Sequence, residues 1–488
     1  MSIDDVDVLV IGFGAAGASA AIEAHDAGAR VAVIEKTGAG GGNCRHSGGF
    51  LFDVDDEVAV EHLDALCFGK TDRSVLTAYA TGLHEVRPFL ESLGGEVETV
   101  RIDEFGGLLP SWPHFPGAGH VDYHRYAGGE TAPGQALWRL LEDAVRTRGI
   151  DVDLNCRATT LTAEDGGAVT GVEIDRAGTT ETIRASGGVI LAAGGFEYDA
   201  ELRDAYLPLP LAPVGHPGNT GDSLRLAVQA GAALWHMSSF FGWFAFRHPD
   251  HPAAFPLDVH APSFVYVDAD GRRFADETGW EVHDKVRSVT AYLPRHANRP
   301  HLPGQVIFDE AARLAGPLNG IVGTPNDYRW SHDNRAEVER GWIKRGETPQ
   351  QLAAQTGIDA GTLSATLNRY AEAAARGRDQ EFGRAPETLV ALEPPLYAIE
   401  MWPGIATASG GPRRDDKARV LRTGGQDPID GLYAAGAAGS IWGHLTEHGG
   451  GLTDAIVFGR IAGEQAAARA VPENHRRPAT TPSGGLNA

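Results

Sequence analysis

Gly12, Gly14 and Gly17 form G-x-G-x-x-G, and Glu35 follows 18 residues after the last of them. Gly12 permits a tight turn, Gly14 lets the backbone approach a pyrophosphate, and Gly17 lets helix and sheet pack closely. A carboxylate placed like that of Glu35 accepts hydrogen bonds from an adenosine ribose. The chemistry implied is that of a bound dinucleotide, its pyrophosphate resting on the free N–H groups and positive dipole end of a helix beginning near Ala15.

These residues can do this only if strand, helix and strand position them. Val6–Ile11 is an apolar β run, the glycines stand where strand passes into helix, and Glu35 closes a second strand. The glycine pattern alone is a weak signal; with the flanking elements and the acid in register it is a strong one. A second glycine-rich segment, GAGGGNCRHSGGF at 38–50, is too long for a turn and is placed to wrap the dinucleotide. Helices are expected at Val58–Phe68, Ser74–Leu93 and Leu137–Arg148, the last with Leu137, Leu140, Leu141 and Ala144 on one face. Strand-like alternation occurs at Val152–Leu154, Val169–Asp175 and Thr182–Arg184. Gly188–Ala193 reads as a core strand of a parallel sheet, its C-terminal end facing the ligand crevice. Asp222 precedes a helix at Ser223–Gly231 and could cap it.

Composition shifts near 238. The aromatic run 240–246 leads into short strands (Phe264–Val267, Gln305–Phe308) and helices (Gln350–Thr356, Asp359–Arg376). Beyond 401 the dinucleotide signals return, with a buried strand meeting glycine at 431–436 and a last helix at Ala455–Ala468. The expected fold is α/β: a discontinuous Rossmann-like nucleotide domain over 1–237 and 401–470, an α+β capping or substrate domain inserted at 238–400, and a flexible tail at 471–488.

The net charge of −23, with no lysine/arginine cluster, argues against nucleic acid or an anionic membrane surface as partner. No 18-residue apolar stretch is present, and the acidic N-terminus runs directly into the first strand, so a cytoplasmic protein without a membrane span is expected. Cys44, Cys67 and Cys156 are too few and too widely spaced for a disulfide framework, a CxxC pair or a metal cluster.

With these motifs in view the chain resembles the fumarate reductase/3-ketosteroid dehydrogenase group of FAD-dependent enzymes, flavoproteins of the succinate dehydrogenase/fumarate reductase type. The resemblance covers nearly the whole length. It is carried by GFGAAG (12–17) with Glu35, GGNCRHSGG (41–49), LAAGGF (191–196), NTGDSLRLAVQAGA (219–232), GRRFADE (271–277), SGGPRRDDKARVL (409–421) and GLYAAGAAGSIWGHLTEHGGGLTDAIVFGRIAG (431–463). It implies a glutathione reductase-type FAD domain, with FAD as cofactor. The histidine that carries flavin covalently in some members has its place at Gly42, with His46 four residues on, so non-covalent FAD is implied. The resemblance assigns the pyrophosphate to Gly12, Gly14, Ala15, Ala16 and Gly17 and the adenosine ribose to Glu35. It places Lys36, Gly41, Gly42, Asn43, Ser47, Gly48 and Gly49 along the pyrophosphate and flavin, and Ala158 against adenine. Ala193, Gly194 and Asp222 would close the crevice, while Gly436, Ala437, Gly451, Leu452 and Thr453 would approach the flavin from the last helix.

The branches of the family differ in substrate. Dicarboxylate-reducing members carry His-Thr before the Gly-Gly of 410–411, where this chain has Thr407 and Ala408. They carry arginines where it has Glu281 and the stretch Leu445-Thr446-Glu447. These departures argue against fumarate or succinate. Asp122-Tyr123 followed by Gly128-Gly129 resembles the ketosteroid branch, yet that branch's Tyr-Pro-Gly-Pro-Gly loop is replaced by Thr446-Glu447-His448-Gly449-Gly450. The implied activity is dehydrogenation or reduction of a C–C bond beside a carbonyl, by hydride exchange with the flavin and protein-mediated proton transfer. The expected substrate is apolar and cyclic, such as a 3-ketosteroid-like ketone, with an external electron acceptor or donor. The alternatives are a reductase of a small urocanate-like or enoate-like acid and, disfavoured by the large insert, an electron-transfer subunit.

For the proton, Tyr123 and then Tyr126 are candidates, set against simple packing. Arg273 and Glu277 could form a proton route or a structural ion pair. His444 and His448 flank the last glycine turn, where either could polarise a carbonyl or bond to backbone. His283 is expected at the surface, and Arg413-Arg414 could merely cap a loop.

Overall fold

The computed structural model describes residues 5–100, 111–127, 133–164, 167–207, 209–279, 283, 285–290, 301–319 and 325–470. The chain forms two compact units. One comprises Met1–Leu207, Gly218–Phe240 and Thr407–Ala488; the other comprises Pro208–Pro217 and Phe241–Ala406.

In the first unit Val6–Ile11 (β1) passes through the glycine turn into Ala15–Asp26 (α1) and Val31–Glu35 (β2). There follow Phe50–Val54 (β3), Asp56–Cys67 (α2), Arg73–Ser92 (α3), Val97–Thr99 (β4), Val121–Tyr126 (β5) and Pro133–Thr147 (α4). Asp151–Leu154 (β6), Cys156–Ala163 (β7), Val169–Arg176 (β8) and Thr179–Leu191 (β9) come next. β1 pairs in parallel with β2 on one side and β9 on the other; β6 extends the sheet beside β2, and Pro428–Ala434 extends it beside β9. Strands enclosed this way are apolar throughout, as Val8, Leu9 and Val10 are.

Two strands expected separately, Thr182–Arg184 and Gly188–Ala193, are the halves of β9. Its first half pairs antiparallel with β8 and its second runs parallel to β1. Gly187-Gly188 interrupts the alternation between them, which is why the sequence reads as two segments. β7 escapes notice because only Cys156 and Ala158 of its eight residues are buried. The last helix spans Gly450–Ala470 and begins earlier than Ala455. It lies directly on α1: a Cβ on Gly459 or Gly463 would stand 2.5 or 2.3 Å from the carbonyl oxygens of Ala16 and Ala20. A small three-stranded sheet, β3-β5-β4, sets Phe52 opposite Tyr123.

The second unit is built on a seven-stranded sheet whose strand Leu396–Ile405 pairs with Gly304–Asp309, Phe244–Phe246, Lys344–Gly346 and Ala212–Pro213. The insert expected at 238–400 therefore has different limits. The strand continues to Ile405, and its pairing with Ala212–Pro213 draws Pro208–Pro217 into this unit. Helices Pro349–Thr356 and Ala360–Arg376 start at Thr348 and Asp359, whose side chains accept from Gln351 N and Thr362 N. They pack Leu352, Leu363 and Tyr370 on Val265, Ile307 and Ala398. In the aromatic run, Phe244 and Phe246 are buried core residues. His283, expected at the surface, is buried and stacks on Phe241 at 4.0 Å. Among the described residues no helix is long and apolar enough to cross a membrane. The tail at 471–488, Glu281 and Gly128-Gly129 lie outside the described residues.

Candidate active site

The glycine turn is built as its spacing demands. Gly12 has φ +102°, and a Cβ on Gly17 would fall 1.9 Å from the Gly12 carbonyl oxygen. α1 has Gly14 as N-cap, with no capping side chain and no acid in its first turn. Its first helical bond is Ala18 N to Gly14 O, so the N–H groups of Ala15, Ala16 and Gly17 have no carbonyl one turn back. In the direction of a Gly14 side chain the nearest atom is Gly41 O at 3.8 Å. An uncompensated helix N-terminus behind an open glycine surface fits a pyrophosphate. Glu35 accepts from Phe13 N (3.0 Å), Thr37 N (2.8 Å) and Thr37 Oγ1 (2.9 Å), which fixes the carboxylate and leaves acceptor capacity for a ribose.

The second glycine segment turns through a short 3-10 helix at Gly42–His46, and Gly41 N donates to Phe13 O at 2.6 Å, tying it to the first turn. Gly42 is open, with nothing within 4 Å of a built Cβ. Ser47 Oγ donates to Cys44 O and accepts from Gly49 N, so this hydroxyl serves the Gly48–Gly49 turn itself. Lys36 and Asp222 hold each other: Lys36 Nζ lies 2.7 Å from Asp222 Oδ2 and 2.6 Å from Thr220 Oγ1, and Arg157 Nη2 is 2.8 Å from Asp222 Oδ1. Burial pushes the Asp222 carboxyl up, but the two cations outweigh it and hold it below the ordinary range. Asp222 is not a cap; Gly221 occupies that place. Ala158 turns its side chain into the core of the sheet and leaves only its main chain for a ligand. Ala193 N donates to Ser223 Oγ at 3.1 Å, and Gly194 lies against Asn219. Gly436, before Ala437, approaches Ala16 so closely that a Cβ would come within 3.0 Å of it. At the foot of the last helix Gly451 is open, Leu452 is half-buried, and the Thr453 hydroxyl is taken by Gly449 O and Phe52 N at 3.0 Å each.

Glu197, which the sequence reading did not single out, is fully buried beneath this assembly. Its Oε1 accepts from Asn43 Nδ2 (3.0 Å) and Asn219 Nδ2 (2.6 Å), and its Oε2 from Ala408 N (3.2 Å); Asn43 Nδ2 also reaches Thr407 Oγ1. An acid one residue past Gly194-Gly195-Phe196, at the end of an apolar strand, was the available signal. Three donors face it and no cation does, so burial pushes its carboxyl from the ordinary 4.5 up to about 7. The folded protein then keeps a proton that the unfolded chain releases between those values, and stability falls as pH rises through that window, by roughly 3 kcal/mol in all. Glu197→Gln is expected to flatten this slope, which urea unfolding at pH 5 and pH 8 would measure.

Tyr123 and Tyr126 stand three residues apart on β5 and therefore on opposite faces. Tyr126 lines a surface cavity of about 490 Å³ with Leu93, Arg139, Leu140 and Arg148, so the two tyrosines do not serve one site. Tyr123 is fully buried. Its hydroxyl donates to Glu447 Oε1 at 2.5 Å and accepts from Ser111 N at 3.2 Å. Burial and the Glu447 carboxylate push its ionisation up, the opposite of what a base near neutrality needs. His62 on α2 completes the cluster, its Nε2 3.2 Å from Glu447 Oε2 and its Nδ1 2.7 Å from Pro116 O. His62 shares the apolar face of α2 with Ala59, Leu63 and Leu66. His444 is half-buried and stacks on the exposed Phe68 at 4.3 Å. His448 is half-buried against Phe50 at 5.0 Å, and its main-chain N donates to Ser111 Oγ at 3.3 Å. Arg414 is buried with Asp454, Nη2 to Oδ1 2.5 Å, and is no loop cap.

In the second unit Arg273 and Glu277 form a buried ion pair. Arg273 Nε and Nη2 donate to the two Glu277 oxygens at 2.8 Å each, and Nη2 also to Asp379 at 3.1 Å. Arg384 Nη1 adds a bond to Glu277 Oε2 at 3.0 Å, and Tyr266 N donates to Oε1. Every partner is buried, and no oxygen of Glu277 is left for proton traffic. Burial raises the three thiols, Cys44 to about 12, Cys67 to about 11 and Cys156 to about 12, which leaves no reactive thiolate near neutral pH. Among the described residues no cluster of metal-binding side chains occurs.

The FAD binding domain family matches residues 7–452. A probable fumarate reductase, Ifc3, of Shewanella frigidimarina is 29% identical across 96% of this chain and 76% of its own length. A 3-oxosteroid 1-dehydrogenase of Mycobacterium tuberculosis is 27% identical across 95% of this chain and 98% of its own. The open conformation of a flavocytochrome c3 fumarate reductase superposes with a TM-score of 0.76 at 27% identity, covering 96% of this chain and 79% of that one.

Proposed function

This chain belongs to the FAD binding domain family, and we propose that, as an FAD-dependent oxidoreductase, it forms or reduces a C–C double bond beside a carbonyl in a largely apolar, cyclic substrate. Bound non-covalently, FAD supplies the hydride acceptor or donor. The observation that carries the apolar reading is that buried carboxyl groups stand where dicarboxylate-reducing relatives place their cation and donors. Glu447 is buried in the stretch where dicarboxylate-reducing relatives place an arginine, and Glu197 is buried behind Thr407-Ala408, where they place His-Thr. Neither position offers a dicarboxylate a cation.

The chain's own contributions follow from the geometry. The open α1 N-terminus and Glu35 bind the nucleotide half, and the knot of Asn43, Glu197, Asn219 and Ala408 orients the loop that faces it. His448, half-exposed at the foot of the last helix, donates to the substrate carbonyl. Tyr123, enclosed by Ser111 and Glu447, holds its proton and does not act as the base.

Anaerobic mixing of the yellow protein with a 3-oxosteroid or with 4-oxocyclohexanecarboxylate tests this reading; bleaching of the visible flavin band is expected. His448→Ala should slow the bleaching by roughly 10²–10⁴-fold, the range of a positioned proton donor. The similarity to fumarate reductases favours a second reading, reduction of a small unsaturated acid. It predicts no bleaching by ketones and reoxidation of the dithionite-reduced protein by an enoate.

A further inference from the structure

We propose that Glu447, Tyr123 and Ser111 form a buried ring of hydrogen bonds that fixes the main chain of His448, with His62 tied to it by one proton shared with Glu447. The ring closes through covalent structure. Glu447 accepts from Tyr123, Tyr123 accepts from Ser111 N, Ser111 Oγ accepts from His448 N, and His448 is bonded to Glu447. Its side chains are 0–4% exposed, so water competes at none of these bonds.

Donor and acceptor counting places the proton. His62 Nδ1 faces the carbonyl of Pro116, which can only accept, so this nitrogen carries hydrogen. Nε2 and Glu447 Oε2 then face each other at 3.2 Å, and two acceptors would repel unless a proton lies between them. Burial pushes the Glu447 carboxyl up, but His62, Tyr123 and Ser111 outweigh it and hold it below the ordinary range. The result is a buried hydrogen-bonded pair anchoring α2 and β5 to the turn that starts the last helix. His448 is the residue of this turn whose backbone is gripped from Ser111, and as a whole it is only half-buried. Glu447, Tyr123 and His62 are thus positioning residues, and His448 is the group they position. Only the ligand contact of His448 rests on the function proposed above.

The test uses the full-length, FAD-loaded protein without substrate. Tyr123→Phe removes the two bonds made by its hydroxyl and Ser111→Ala removes the bond to His448 N, so each opens the ring and should speed amide hydrogen exchange across residues 446–450 by roughly three- to tenfold. β1 and α1 should be unaffected. The double variant should exchange no faster than the faster single one, because opening the ring once releases the turn. Proton NMR should show a far-downfield imidazole resonance that disappears in His62→Gln and Glu447→Gln and shifts in Tyr123→Phe. A wild-type spectrum lacking that resonance overturns the shared proton. Unchanged or additive exchange in the two mild variants overturns the ring, whether or not Glu447→Gln folds. Ketone bleaching with unchanged exchange would refute the ring and spare the function; the converse would do the reverse.

Discussion

Glu277→Ala is expected to destabilise the protein by about 3–5 kcal/mol, the cost of leaving a buried charge without its partner. Glu277 receives both arms of Arg273, one arm of Arg384 and the Tyr266 amide. Its removal leaves Arg273 with Asp379, the more distant Glu381 and the Ala275 carbonyl, and leaves Arg384 with no carboxylate, only the Thr388 hydroxyl and the carbonyls of Phe264 and Pro262. Thermal or urea unfolding would measure the loss. Glu277→Gln separates structure from catalysis. A proton-relay residue would keep its stability and lose turnover, whereas this residue should lose stability with the flavin band unchanged at low temperature.

Gly17→Ala is expected to weaken FAD binding by roughly five- to 150-fold. The added carbon would lie 1.9 Å from the Gly12 carbonyl oxygen and 3.2 Å from Val10, and backbone cannot swing aside as a side chain can. Overpacking of this kind costs about 1–3 kcal/mol, which here falls on the turn that carries the pyrophosphate. Titration of apoprotein with FAD, read by quenching of flavin fluorescence, gives the constant. Gly119→Ala, with nothing within 4 Å of the new carbon, is the control expected to bind normally.

These predictions divide along the line of what the sequence could say. The glycine turn, Glu35 and the apolar strands were legible because their signals are local and repeat with the period of the element that holds them. Arg273 and Glu277 were legible as a pair, four residues apart, though Asp379 and Arg384, which decide its role, lie more than a hundred residues further on. His62 and Glu447 are 385 positions apart, and Asn43 and Glu197 are 154 apart. No spacing rule joins them. Asn43 and Glu447 were legible as parts of motifs, but not as partners of Glu197 and His62. Tyr123 shows the complementary failure: its residue type suggested a base, and only its neighbours reveal that its proton is held. The limits of the insert were missed for a related reason. Ala212–Pro213 is two residues long, and its allegiance is set by a strand nearly two hundred residues away.

The seat of α1 against Gly459 and Gly463 bears on how the protein is made. The first nucleotide-binding turn leaves the ribosome well before the helix that covers α1, which lies more than four hundred residues further along the chain. Until residue 463 has emerged, the flank of α1 that this helix covers stays bare. Cofactor loading therefore waits for this helix, and a nascent chain stalled before residue 450 should not retain flavin.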